Sequence, residues 1–422
     1  MQHASWKKAA AALGLSLALL AGCTPAAPAG PGPASSAGSA SQTAQTSSRQ
    51  TSSAVPETRR ATLSFGGDVL IHTQLFRSAE QEDGSYDFTE FVADMEGFFD
   101  SDFNMLNIEV PIDAKGNNEG ISTYPQFNAP YEVMDMVRRL GVETVTHVNN
   151  HSYDQGYKGF VRSVENLREK FDVLGVYLSE EEYNEPCIRE INGIKVGILA
   201  YTDHVNGYSA SRLEPYSLRL FELSMDGVPA ILSDVQALRD AGAEYIIVSL
   251  HWGSEYVDKP SSTQQKVAHA LTDAGVDLIV GGHSHCVQPI EKRTVTYNGQ
   301  QKETLILYSL GNFFADQASL QHKRDPSYVK TQQGMKVTIT LEKDGGTGQV
   351  RLADACYVPT VMIRNKIKSP WIWEYHMIPA GEYALADEMP ALFKDAAQWQ
   401  EAKDAWERVC SVVGDDIRAE AS

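Results

Sequence analysis

DLIVGGHSHCVQPIE, residues 277–291, passes from a run of apolar β-formers through two glycines into His283-Ser284-His285. A short apolar run bounded by glycine reads as a buried strand. Two imidazoles one residue apart at the end of such a strand are either part of a polar loop or a metal-holding pair. The rest of the chain decides between these readings.

Strand-like and helix-like segments alternate along the body. ATLSFGG (61–67), FNMLNIEV (103–110), ETVTHVN (143–149), DVLGVYL (172–178), IKVGILAY (194–201), EYIIVSL (244–250), VDLIVGG (276–282) and TLILYSL (304–310) read as strands. Their continuous apolar character implies that both faces of the sheet are covered. Amphipathic helices are expected near 88–99, 130–140, 157–170, 227–241 and 261–274, the last beginning with Ser and Thr caps. This alternation defines an α/β architecture. Beyond residue 318 the pattern changes to a hairpin around DGGTG and a terminal helix over 389–410.

The unusual polar residues fall at the ends of these strands. Asp68 follows the first, Asn107 and Glu109 end the second, and Asn149, Asn150 and His151 follow the third. His251, the pair His283 and His285, and Asn312 follow three later strands. Sites in open α/β sheets form beyond the carboxyl ends of the strands. Taken singly, Asp68 fits a turn, Glu109 a solvated strand end, Asn150 a helix cap and His251 a satisfied core histidine. Taken together, carboxylates and neutral imidazoles form a donor set suited to a divalent ion.

The N-terminus reads as a targeting segment. Lys7 and Lys8 precede an apolar run, residues 9–22, too short to span a bilayer as a helix. The run ends in Leu20-Ala21-Gly22-Cys23, which resembles a bacterial lipobox with Cys23 as the lipidated residue. Residues 1–22 are therefore expected to be a signal peptide. Residues 23–59, rich in Ala, Ser, Thr, Pro and Gly, are expected to be a flexible tether. The mature chain would then sit on the extracytoplasmic face of the cell membrane. Removing residues 1–22 takes away two lysines and no acid, so the net charge moves from −19 to −21. Such acidity argues against a nucleic-acid partner. Cys187, Cys286, Cys356 and Cys410 are scattered and suggest no disulfide framework.

The motifs SFGGDVL, NIEVP, HVNNHSYDQG, LHWGSEY, GGHSHCVQPIE and YSLGNFF occur in the order seen in CapA-like proteins, which this sequence resembles over roughly residues 61–315. That family is linked to poly-γ-glutamate capsule synthesis and is related to calcineurin-like metallophosphoesterases. The resemblance implies a four-layer α/β/β/α sandwich with two mixed sheets, spanning 60–318, with residues 319–422 as an extension packed on it. It also implies one or two divalent ions (Mn, Zn or Fe) on Asp68, Glu109, Asn150, His251, His283 and His285. His151 would be the proton donor, with Asp154 beside it. Two departures stand out. The phosphoesterases carry a His two residues after the first Asp, where this chain has Leu70; His72 and Asn107 are the nearest substitutes. CapA-like proteins more often read Gly-His-His-Pro-His than Gly281-Gly282-His283-Ser284-His285. Two functions are implied. One is a metal-dependent hydrolase acting on a phosphoester or an anionic polymer. The other is a non-catalytic accessory protein that binds polymer or a capsule synthase.

Overall fold

Fifteen strands form two mixed sheets in the computed structural model, which describes residues 57–114, 120–317, 326–369 and 372–422. The expected signal peptide, Cys23 and nearly all of the tether lie outside the described residues. The chain from Ala54 to Ser422 is a single compact unit. Among the described residues, no helix is long and apolar enough to cross a membrane.

The first sheet is built on β1 (Arg59–Leu70), β2 (Phe103–Ile108), β3 (Thr144–Thr146) and β4 (Asp172–Leu174), all parallel neighbours. The second is built on β5 (Ile188–Ile191), β6 (Ile194–Thr202), β7 (Tyr245–His251), β8 (Leu278–Gly282), β9 (Ile290–Tyr297) and β10 (Gln300–Leu307). Its order is β5-β6-β7-β8-β10-β9, with β6, β7, β8 and β10 parallel. β11 (Asn312–Ala315) returns the chain to the first sheet alongside β1.

The segment beyond residue 318, expected as an extension packed on the domain, enters the first sheet itself. β12 (Gln333–Lys343) pairs antiparallel with β1, followed outward by β13 (Val350–Ser369) and β14 (Ile372–Pro379), while β15 (Arg418–Ala419) pairs with β13. The DGGTG hairpin is the β12–β13 turn. Its alternating pattern was legible locally, but pairing with a strand nearly three hundred residues earlier was not. The terminal helix runs Ala396–Val413.

Apolar side chains on three surfaces set the layering. Leu63 and Phe65 of β1 meet Ile247 of β7 and Leu278 and Val280 of β8 in a core between the sheets. The outer face of the first sheet is covered by α1 (Thr73–Ala79), a 3₁₀ segment (Thr89–Met95) and α2 (Val133–Arg139). α3 (Gly156–Arg168) covers the sheet edge. On the outer face of the second sheet, α4 (Val228–Asp240) and α5 (Ser262–Asp273) bury Ile231, Val235, Val267 and Leu271. Each such side chain contributes about 1.5–3 kcal/mol when fully buried. The result is a four-layer α/β/β/α sandwich. α5 starts at a capping box, Ser261 accepting from the Gln264 amide while the Gln264 side chain accepts from the Ser261 amide.

Both Gly-Gly pairs bring backbones together where the strands end. A Cβ on Gly67 would lie 1.9 Å from the Gly311 carbonyl oxygen, and one on Gly281 2.0 Å from that of Tyr308. These contacts let β1 and β8 run close to their neighbours immediately before Asp68 and His283.

Candidate metal centre

Six strand ends converge at one edge of the sandwich. Asp68 stands in register with Asn107 of β2 on one side and Asn312 of β11 on the other, with a register shift just before it against β2 and just after it against β11. Glu109 follows β2, His251 ends β7, and His283 and His285 follow β8. All are buried.

These residues form two groups that share Glu109. Glu109, His251 and His283 offer ligand atoms that all lie within 4.8 Å of one another, as do Asp68, Glu109 and His285. In the first group, His251 Nε2 lies 3.4 Å from Glu109 Oε1, 3.2 Å from His283 Nδ1 and 2.8 Å from Asn150 Oδ1. In the second, His285 Nδ1 lies 3.8 Å from Glu109 Oε2 and 4.0 Å from Asp68 Oδ2. The amide-and-imidazole character of the first group and the carboxylate character of the second follow directly from which strand ends reach each side.

The two histidines of the opening stretch take left-handed backbone conformations, φ 85° at His283 and 56° at His285. Such a conformation in a non-glycine residue costs about 1–3 kcal/mol and is held only by its surroundings. Here the His283 amide donates to Asp68 Oδ2 at 3.1 Å, and the Ser284 carbonyl accepts from the Tyr256 amide at 2.8 Å.

The donor set fits divalent ions. Both Glu109 oxygens are buried and lack a hydrogen bond of good geometry. Burial opposes the Glu109 charge, but His285 and His251 outweigh it and hold this carboxyl well below its usual range. Asp68 is pushed up to about 6, first by burial and then by the Glu109 charge. Burial tends to lower His251, yet Glu109 and Asp68 raise it overall, while burial and the neighbouring His251 lower His283. Two buried carboxylates beside three imidazoles, with both Glu109 oxygens lacking a hydrogen bond of good geometry, form an arrangement that divalent cations would complete.

Outer residues orient the ligands. Asn107 donates to Asp68 Oδ1 at 2.8 Å, while its own oxygen accepts from Thr146 Oγ1 and Asn149 Nδ2. Both ends of Asn107 are therefore engaged, and its amide holds Asp68 in place. Asn149 folds the turn by donating to the Ile108 carbonyl and accepting from the His151 amide. His72 is buried, and its Nδ1 has no partner of good geometry. Burial, with His285 next, pushes it down to about 3, and it lies outside the two ligand groups.

His151 stands beside Asn150, with Nδ1 2.7 Å from Asp154 Oδ2 and its ring edge-on to Phe127 at 4.8 Å. Asp154 also accepts from the Phe127 amide. Burial works against the charged ring, but the bond to Asp154 and its charge raise the His151 pKa overall.

The sequence reading missed several neighbours. Asn312 carries the same strand-end signal but is not in the expected donor set; its Oδ1 lies 3.0 Å from His285 Nδ1. Asn206 donates its backbone amide to the Asn150 carbonyl, and its side-chain nitrogen lies 3.5 Å from His151 Nδ1. Glu255 Oε1 reaches within 4.0 Å of His285 Nε2. Asp203 and His204 follow β6 directly, so the strand-end signal that found the others was present there too.

The fold and site define a two-sheet α/β protein with a buried carboxylate–imidazole centre suited to divalent metal. The sequence matches the model of the family described as bacterial capsule synthesis protein PGA_cap over residues 62–317, and the chain belongs to that family. It is 27% identical over 285 residues to the PGA biosynthesis protein CapA of Bacillus subtilis, covering 67% of this chain and 68% of that protein. It is 28% identical over 265 residues to the capsule biosynthesis protein CapA of Bacillus anthracis, covering 62% and 61%. Among solved structures, a novel phosphatase from Mycoplasma pneumoniae aligns with a TM-score of 0.40 at 14% identity, over 72% of this chain and 94% of that one.

Proposed function

We propose that this protein is a lipid-anchored, extracytoplasmic metal-dependent hydrolase. It acts in the synthesis, export or trimming of an anionic capsule polymer such as poly-γ-glutamate. The observation that carries the hydrolase reading is Glu109, a buried carboxylate shared by two ligand groups with neither oxygen otherwise satisfied. An imidazole, carboxylate and amide set without cysteine suits Mn, Zn or Fe. When bound, such ions activate water and offset charge on the reacting bond.

The chain's own residues complete the reaction. Asp68, Glu109, Asn150, His251, His283 and His285 would hold the ions. Asn107 fixes Asp68. Asp154 engages Nδ1 of His151, leaving Nε2 as the nitrogen that delivers a proton to the leaving group. Its raised pKa suits it to serve as the acid near neutral pH. Anchoring rests on Cys23, which follows an apolar run and precedes a nearly uncharged spacer.

A second reading is a tethered accessory protein that binds polymer or a capsule synthase without chemistry. Leu70, buried where the related phosphoesterases carry a ligand histidine, favours it. The two are separated by measuring bound metal and testing phosphomonoesters, phosphodiesters and poly-γ-glutamate. Metal with turnover supports the hydrolase; polymer binding without turnover under any of the three metals supports the accessory role.

A further inference from the structure

The proposed mechanism assigns no task to Asp203 and His204, yet they are fixed against the metal centre as firmly as the ligands. Thr202 pairs in register with His251, so the next two residues continue past the sheet edge beside that ligand. The Asp203 amide donates to the His251 carbonyl at 3.1 Å. Asp203 Oδ2 accepts from the Gly253 amide at 2.9 Å, clasping the loop on the far side of Trp252. The other Asp203 oxygen, Oδ1, takes His204 Nδ1 at 2.5 Å. The Thr202 hydroxyl donates to the His204 carbonyl at 2.8 Å, so the backbone is held as well.

The outcome is an imidazole locked in orientation at the rim of the site. Its ring stands edge-on to the ring of His283, 5.0 Å between centroids. It differs from every histidine in the ligand groups in one respect: 43% of its side chain remains exposed, against 4% for His251 and 1% for His285. A buried imidazole in this place would serve the ions. An exposed one, with Nδ1 already occupied by a carboxylate, offers Nε2 to whatever enters from solvent. His151 and His204 are thus two carboxylate-held imidazoles around one centre, the first buried and the second open.

We infer that His204 is a substrate-contacting residue, its Nε2 reserved for a polar group of the phosphoester or glutamyl chain adjacent to the bond that is cleaved, with Asp203 as its positioning partner. This rests on the hydrolase reading above. A single hydrogen bond made equally in the ground and transition states affects KM and leaves kcat nearly alone.

The test compares full-length wild type, His204→Ala and His204→Gln. Metal per chain is measured first, then kcat and KM on p-nitrophenyl phosphate, bis(p-nitrophenyl) phosphate and γ-linked oligoglutamate. Calorimetric binding of the oligoglutamate follows. The expected result for His204→Ala is unchanged metal, kcat within about threefold of wild type, and KM or the binding constant weakened about tenfold. His204→Gln, which keeps a polar group within reach, should recover part of the loss. Unchanged KM and binding would overturn the assignment and leave the hydrolase reading intact. Loss of metal would also overturn it, making His204 a support for His283. Wild type that carries metal but turns over nothing sinks the hydrolase reading alone if oligoglutamate binding still depends on His204. Wild type that neither turns over nor binds any of these probes sinks both.

Discussion

Replacing Glu109 with Gln tests the sharing of one carboxylate between two ligand groups. Glu109 is fully buried and belongs to both groups, whereas His283 belongs to one. With free metal about 100-fold above its dissociation constant, each bound ion stabilises the native chain by about 2.7 kcal/mol. Loss of both ions then removes about 5 kcal/mol, equivalent to a fall in melting temperature of order 10 °C. His283→Ala should remove about half of that. The assay is thermal or urea denaturation of each variant with and without excess metal. The quantity read is the metal-dependent increment, so differences between the metal-free proteins cancel. The account expects the increment to vanish in Glu109→Gln and to be halved in His283→Ala. Equal increments in the two variants, or a wild-type increment in Glu109→Gln, would refute the shared-ligand arrangement.

Other outcomes follow from the same geometry. His151→Ala should keep its metal and lose about 10²–10⁴-fold in turnover, checked by metal analysis alongside kinetics; loss of metal would make His151 a ligand. Asp68, raised to about 6, must be ionised and His251, raised above its ordinary value, must be neutral to bind metal, so affinity should fall as pH drops, by at least tenfold per unit below about 6, read by metal titration. His147 is buried between the Ile108 carbonyl and the Ser163 hydroxyl, and burial pushes it down to about 4. The unfolded chain takes up that proton near its ordinary value while the native chain resists it. The associated stability is therefore complete above pH 6.5 and lost as pH falls to about 4, a change of about 3 kcal/mol. Urea titration of metal-free wild type and His147→Gln at pH 7 and 4.5 reads the difference, and equal pH sensitivity would contradict it. Cys23→Ala should release the protein from the membrane fraction or stall its processing; a correctly processed membrane-bound variant would count against the anchor.

Much of this site could be read from the sequence because its ligands share one local signature, a polar residue just past a buried apolar strand. Asp68, Glu109, His251 and His283 all carry it, and the structure brings them together. Asp203 and His204 carry it as well, but Asp-His after a strand matches no familiar motif. The outer contacts of Asn107, Asn206 and Glu255 depend on which turn faces which, a matter of tertiary packing that spacing cannot supply. The fold shows the same division. The strands β1, β6, β7 and β8 agree with their apolar runs, whereas the runs at 143–149 and 172–178 yield only three paired residues each. β14 was missed because its residues mix aromatic, acidic and apolar types without clean alternation. The central place of β12 was invisible because strand pairing across such a distance leaves no local trace.

Glu109 joins two buried ligand groups, each of which would hold one divalent ion. The most direct measurement is metal per chain in the full-length wild type, equilibrated in turn with Mn, Zn and Fe and freed of excess by dialysis. Two ions per chain are expected with at least one of these metals. One ion or fewer per chain with all three would contradict this arrangement.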